Sequence, residues 1–166
     1  MKRQPLLVAL ILSASLTLAG CGFHLRGQST LPFATLYVPG NSPLVIELKR
    51  NVASGTQTKL VDSVESSQAQ LLISNEVREK VILSLNSAGR VREFQLRYRL
   101  AFRVIDGKGR DYLPLNQIAL TRDISFNDSQ VLAKESEEAL LYRDMQTDMV
   151  QQVLRRLATA RIDPEG

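Results

Sequence analysis

The residues in this sequence with the most chemical potential are its single cysteine, Cys21, its single histidine, His24, and a concentration of arginines between positions 90 and 110. Cys21 ends the tetrapeptide Leu18-Ala19-Gly20-Cys21. Ahead of it stand a positive pair, Lys2 and Arg3, and an apolar run of fifteen residues, Leu6 to Gly20. A membrane-spanning helix needs about 20 apolar residues, so the run reads as the core of a signal peptide, residues 1–20, removed on export. The tetrapeptide has the form of a bacterial lipobox. Its chemistry is thioether attachment of a diacylglyceryl group to the Cys21 sulfur, cleavage before that residue, and acylation of the new N-terminus by a palmitate-type chain. Two or more acyl chains anchor a protein stably, since each buried CH₂ contributes about 0.8 kcal/mol. The alternative at Cys21 is an ordinary secretory signal followed by a free exported thiol. Gly22, where enteric-type sorting would read Asp as an inner-membrane retention mark, favours the outer membrane with the chain facing the periplasm.

Catalytic constellations are scarce. One Cys, one His and no Trp exclude an internal disulfide framework and a Cys/His zinc site built by this chain alone. No nucleophile elbow, phosphate-binding loop or dinucleotide fingerprint is present. His24 lies three residues from the anchor, where it reads as a polar packing residue and not a catalyst, because a general base needs a fixed partner to orient it. Glu137 and Glu138 are neighbours about 100° apart on a helix, poorly placed to converge on one bond. A carboxylate pair assembled from distant residues stays open, and with it a cell-wall hydrolase; otherwise the expectation is a protein that is not an enzyme, with no metal and no cofactor beyond the lipid on Cys21.

The basic cluster says more. Arg90, Arg92, Arg97, Arg99, Arg103, Lys108 and Arg110 are opposed within their segment only by Glu93 and Asp106, for a local charge of +5. Arg97, Arg99 and Arg103 project from one strand face with Gln95, and Arg78 and Lys80 are expected nearby. Guanidinium groups suit bidentate contacts with phosphate or carboxylate. The charge of +4 for the whole chain falls to +2 without Lys2 and Arg3, so no nucleic-acid partner is implied. The anions of the periplasm are phosphorylated lipids, glycan carboxylates and acidic protein surfaces. The bland alternative is a solvated sheet face whose charges discourage aggregation.

The elements that must hold these residues follow from periodicity. After a lipidated tether, 21–31, a body of 32–162 and a short tail, 163–166, are expected. Hydrophobic residues at 44% and charged residues at 23% fit a globular body. Thr35–Val38 reads as a short strand stopped by Pro39-Gly40. Ser42-Pro43 opens a helix with Val45, Leu48 and Val52 on one face. A brief strand follows around 59–62. Phe94, Leu96, Tyr98, Leu100, Phe102 and Val104 alternate with polar residues, the signature of a strand buried on one face. Leu71 to Leu85 alternates too, which places Leu71, Ile73, Val77, Val81, Leu83 and Leu85 together. Asn86-Ser87-Ala88-Gly89 turns one strand into the other, Asp106-Gly107-Lys108-Gly109 turns again, and 118–126 forms a further strand whose apolar face Arg122 interrupts. Leu141, Met145, Met149, Val153 and Leu157 stripe a long final helix. Glu135, Glu137 and Glu138 near its start and Arg155, Arg156 and Arg161 near its end are expected to complement its dipole. The fold class is α+β: a two-layer sandwich of a mainly antiparallel sheet of about four strands against two amphipathic helices.

The mature start, Cys21-Gly22-Phe23-His24-Leu25-Arg26, resembles that of the lipopolysaccharide-assembly lipoprotein LptE family. The similarity continues in Glu93-Phe94-Gln95-Leu96, in Val131-Leu132-Ala133-Lys134-Glu135 and in the order of elements. The resemblance implies an outer-membrane lipoprotein that plugs the lumen of the large β-barrel LptD, assists its assembly, and binds lipopolysaccharide on its way to the outer leaflet. It carries lipid contact onto Lys134 directly. At the hairpin tip the family's basic position falls near Ser87, so Arg90 and Arg92 stand in as substitutes there, with Arg97, Arg99 and Arg103 as a further basic face. A globule of this size has a radius near 19 Å, which a barrel of about 26 strands would admit and a porin-sized one would not. A general outer-membrane scaffold that binds protein and no glycolipid is the competing expectation.

Overall fold

The computed structural model describes residues 30–161; the signal segment, Cys21, His24 and the tail 163–166 lie outside the described residues. Five strands and two helices follow in the order β1 (Thr35–Tyr37), α1 (Pro43–Gly55), β2 (Lys59–Val61), β3 (Ala69–Leu85), β4 (Val91–Asp106), β5 (Asp111–Ser125) and α2 (Val131–Ala158). A single 3₁₀ turn, Asp128–Gln130, leads into α2. The strands form one sheet in the order β2-β1-β3-β4-β5. The α+β sandwich is as expected, with one strand more than the expected four. β3, β4 and β5 form an antiparallel meander, whereas β1 runs parallel to both of its neighbours. That parallel pair needs a crossover, and α1 supplies it.

Local chemistry explains the boundaries. The Ser42 hydroxyl accepts the Val45 N–H at the start of α1, and Pro43 occupies the first helical turn. Both hairpin turns of the meander use the same device. Asn86 Oδ1 accepts the N–H groups of Ala88 and Arg90, and Asp106 Oδ1 those of Lys108 and Arg110. Gly89 and Gly109 take the positive φ angles, 74° and 83°, that close each turn. The start of α2 differs from expectation. Its first turn carries no acidic residue, and its N-cap, Gln130, makes no side-chain cap bond. Glu135, Glu137 and Glu138 begin a turn later, beyond the reach of the dipole, which fades within the first turn. Arg155 and Arg156 do occupy the last turn.

The core lies between the helices and the even-numbered face of β4, where Leu96, Tyr98, Leu100, Phe102 and Val104 are buried. Leu44, Val45, Leu48 and Val52 of α1 and Met145, Met149, Val150, Val153 and Leu157 of α2 pack onto that face. Leu31, expected in the tether, is buried in this core with Phe33. All the fully buried positions of α2 fall from Met145 onward, and its first half meets the core only through the partly buried Leu141 and Tyr142.

One irregularity rearranges the expected faces. A bulge at Ser74 separates the pairs Ile73↔Phe102 and Asn75↔Ala101. Beyond it Glu76, Arg78, Lys80 and Ile82 oppose Leu100, Tyr98, Leu96 and Phe94. Because side chains alternate with period two, one extra residue swaps the faces. Val77 and Val81, expected on the apolar face with Leu71 and Ile73, lie on the outer face, opposite Arg99 and Gln95. Arg78 and Lys80 therefore lie under the helices and not beside the outer arginines.

Candidate functional site

The far end of the β3–β4 hairpin collects the residues the sequence singled out. Asn86 and Gly89 shape the tip that carries Arg90, and Arg92 follows at the start of β4. Phe126 donates its N–H to the Arg92 carbonyl at 2.8 Å, and Ser125 pairs with Glu93, so the end of β5 is fastened beside the tip. Lys134 joins them from α2: its ammonium donates to Ser125 Oγ at 3.0 Å and to Glu137 at 2.8 Å. Arg92 and Lys134 thus share one end of the molecule, with Arg90 at its extremity. The same end exposes apolar side chains. Ile82 is 58% exposed, Leu85 55% and Leu132 80%, with Leu83 and Val131 also in the open. Cations standing among exposed aliphatic side chains match an amphiphile that has both phosphates and acyl chains.

Arg97, Arg99 and Arg103 are not part of this group. They lie on the outer face of the sheet, where the first two are already engaged. Arg99 pairs with Glu79 at 2.7 Å. Arg97 donates to Gln95, which in turn donates to Asp123. Of the three, only Arg99 has an ion pair among the described residues.

Sequence reasoning misplaced Arg78 and Lys80: the bulge turns both toward the helices, each still exposed to solvent. Arg78 stacks over the Tyr98 ring at 4.5 Å and donates to Gln146 of α2 at 2.7 Å. Tyr98 donates to Glu76 at 2.7 Å, and Glu76 also accepts from Ser42 at 2.8 Å. Burial, then the bond to Glu76, push the Tyr98 hydroxyl well above the ordinary tyrosine range. Lys80 pairs with Glu138 at 2.6 Å and sits 4.3 Å above the Phe94 ring. Arg122, the other cation on the inner face, reaches Asp148 at 2.7 Å. The one sequence signal for this cross-layer set was Arg122, which visibly broke an apolar face.

Among the described residues no group of three His, Cys, Asp or Glu side chains is disposed to hold a metal ion, and no helix is long and apolar enough to cross a membrane.

Known proteins resemble this chain along most of its length. The sequence is 29% identical over 164 residues to an LPS-assembly lipoprotein LptE of Pectobacterium atrosepticum, covering 95% of this chain and 87% of that one. It is 28% identical over 162 residues to a protein of the same name from Yersinia pestis, covering 95% and 77%. Among solved structures, lipoprotein B of Nitrosomonas europaea superposes with a TM-score of 0.73 at 44% identity, over 82% of this chain and 90% of that one. Rare lipoprotein B of Shewanella oneidensis shares the fold at a TM-score of 0.65 and 23% identity, over 75% and 94%. The family model for lipopolysaccharide assembly, LptE, matches residues 33–157, and the chain belongs to that family.

Proposed function

We propose that this chain is an outer-membrane lipoprotein, anchored on the periplasmic side by acyl chains on Cys21, that fills the lumen of an LptD-type barrel, assists its assembly and holds lipopolysaccharide during delivery to the outer leaflet. The observation that carries the reading is the hairpin end, where Arg90, Arg92 and Lys134 stand among the exposed Ile82, Leu83, Leu85 and Leu132. Phosphates of lipid A or the core sugars suit the cations, and acyl chains suit the aliphatic side chains.

Dimensions support the plug. The longest strand has 17 residues, a span of about 55 Å at ~3.3 Å each. Five strands spaced ~4.8 Å apart make a sheet only about 24 Å wide, with one helix layer roughly 10 Å above it. The body is therefore a slab and not the 19 Å sphere that its length suggests. With its long axis along the barrel, the slab's cross-section fits a lumen with a backbone radius of about 25 Å more easily than the sphere does. The hairpin end, only three strands wide, would then reach furthest along the pore.

The test is the triple substitution Arg90→Asp, Arg92→Asp, Lys134→Asp in the full-length lipidated protein, purified with its barrel and assayed for retained lipopolysaccharide. A charge-assisted contact contributes about 1.5–3 kcal/mol, so loss of even one is expected to lower retention about tenfold or more while barrel co-purification persists. Undiminished retention would overturn the site.

A further inference from the structure

Between the first half of α2 and the hairpin lie two adjoining clefts of about 230 and 470 Å³. Both are lined by Lys80, Glu135 and Glu138. The smaller continues to Lys134 over a floor of Phe94, Phe126 and Ile124. Phe94 and Phe126 pack edge to face at 5.3 Å, which fixes that floor. We infer that this cleft is a binding site for the phosphorylated headgroup of an acylated glycolipid, with Lys80 and Lys134 as its cations and Glu138 and Glu137 as resident counterions that the phosphate displaces. The inference rests on the proposed function and adds to it a place and a controlling residue.

Three features carry it. First, both lysines are already bound by carboxylates of one helix, Lys80 to Glu138 at 2.6 Å and Lys134 to Glu137 at 2.8 Å. Glu135 lines both clefts as well, so an incoming anion meets two paired lysines among three carboxylates and must exchange with a glutamate. Second, that exchange needs only side-chain rotation, because Glu137 and Glu138 lie in the half of α2 that has no fully buried residue and a glutamate has several accessible rotamers. Third, Lys80 does not depend on Glu138 for its position. Its ammonium sits over the face of Phe94, and a cation over an aromatic ring stays attracted when its carboxylate leaves. Lys134 is likewise retained by Ser125. The aromatic floor offers apolar contact to the first carbons of an acyl chain beside the phosphate.

A counterion that competes with the ligand makes a prediction that a structural ion pair does not: removing the two partners moves binding in opposite directions. The experiment measures binding of diphosphoryl lipid A in detergent micelles by the full-length protein, and of the same lipid after phosphatase treatment. Lys80→Gln is expected to weaken binding of the phosphorylated lipid about tenfold. Glu138→Gln is expected to tighten it severalfold, and the double variant is expected to follow Lys80→Gln. None of the three should alter binding of the dephosphorylated lipid, and thermal melting of each confirms folding. Equal weakening by both single variants, or no change in either while Arg90→Asp, Arg92→Asp abolishes binding, overturns this site and leaves the proposed function intact. Absence of lipid binding by the unsubstituted protein overturns the proposed function itself.

Discussion

Replacing Tyr98 with Phe removes one oxygen from the junction of all four long elements around it. The Tyr98 side chain is fully buried, donates to Glu76 at 2.7 Å and accepts from Arg78 at 3.2 Å. The ring volume is unchanged, so no cavity opens. The loss is one hydrogen bond to a charged acceptor, about 1.5–3 kcal/mol. Glu76 retains Ser42, and Arg78 retains Gln146 and its stacking on the ring, which favours the lower half of that range, near 2 kcal/mol. In a domain of this size such a loss lowers the melting temperature by roughly 8 °C. The informative assay is a double-mutant cycle with Glu76→Ala, read from urea unfolding. Once the carboxylate is gone the phenol has no acceptor, and deleting its hydroxyl becomes nearly neutral. The expected coupling between the two positions is about 1.5 kcal/mol. A coupling below about 0.5 kcal/mol would show that the Tyr98–Glu76 bond does not hold the bulged strand to the core.

Three further outcomes follow from the backbone chemistry. Burial acts to raise the Asp106 carboxyl, but the N–H groups of Arg110 and Lys108 and the Arg110 guanidinium outweigh it and hold its pKa below the ordinary 3.8. A depressed carboxylate contributes stability that is present above its unfolded pKa and is lost as the pH falls through the folded one. Asp106→Ala is therefore expected to be less stable than the native sequence at pH 7, with the gap narrowing once the pH drops below 3.8; a gap that widens on acidification would refute this. Deleting Ser74 is expected to be tolerated at a cost near the ~1 kcal/mol of an ordinary substitution, because Ile73 and Asn75 already pair with the consecutive residues Phe102 and Ala101. Deleting Val77, which lies in regular pairing, is expected to abolish cooperative unfolding by turning the rest of β3 over.

That contrast also shows what could be read from the chain and what could not. β4 was legible because its alternation is unbroken from Phe94 to Val104 and its even positions are the ones buried. α1 was legible from Ser42-Pro43, and the long helix from its stripe. β5 was read only from Ile118, because Pro114 and two register shifts near Val104 hide its first half. β3 misled for a different reason. Its sequence alternates on both sides of Ser74, and nothing about a serine announces that the alternation changes phase there. Two phase choices remain for the distal half of the strand. One buries Val77 and Val81; the other turns Glu76, Arg78 and Lys80 inward. Local hydrophobicity favours the first, as the sequence reading did. The second prevails because each polar group turned inward meets a partner on another element: Ser42 and Tyr98 for Glu76, Gln146 for Arg78, Glu138 for Lys80. Those partners lie 22 to 68 residues away, and a window along the strand does not contain them. The basic residues were thus legible as a group, but their division between two faces was not. The face of Lys80 decides whether the cleft beneath α2 is lined by two cations or by one.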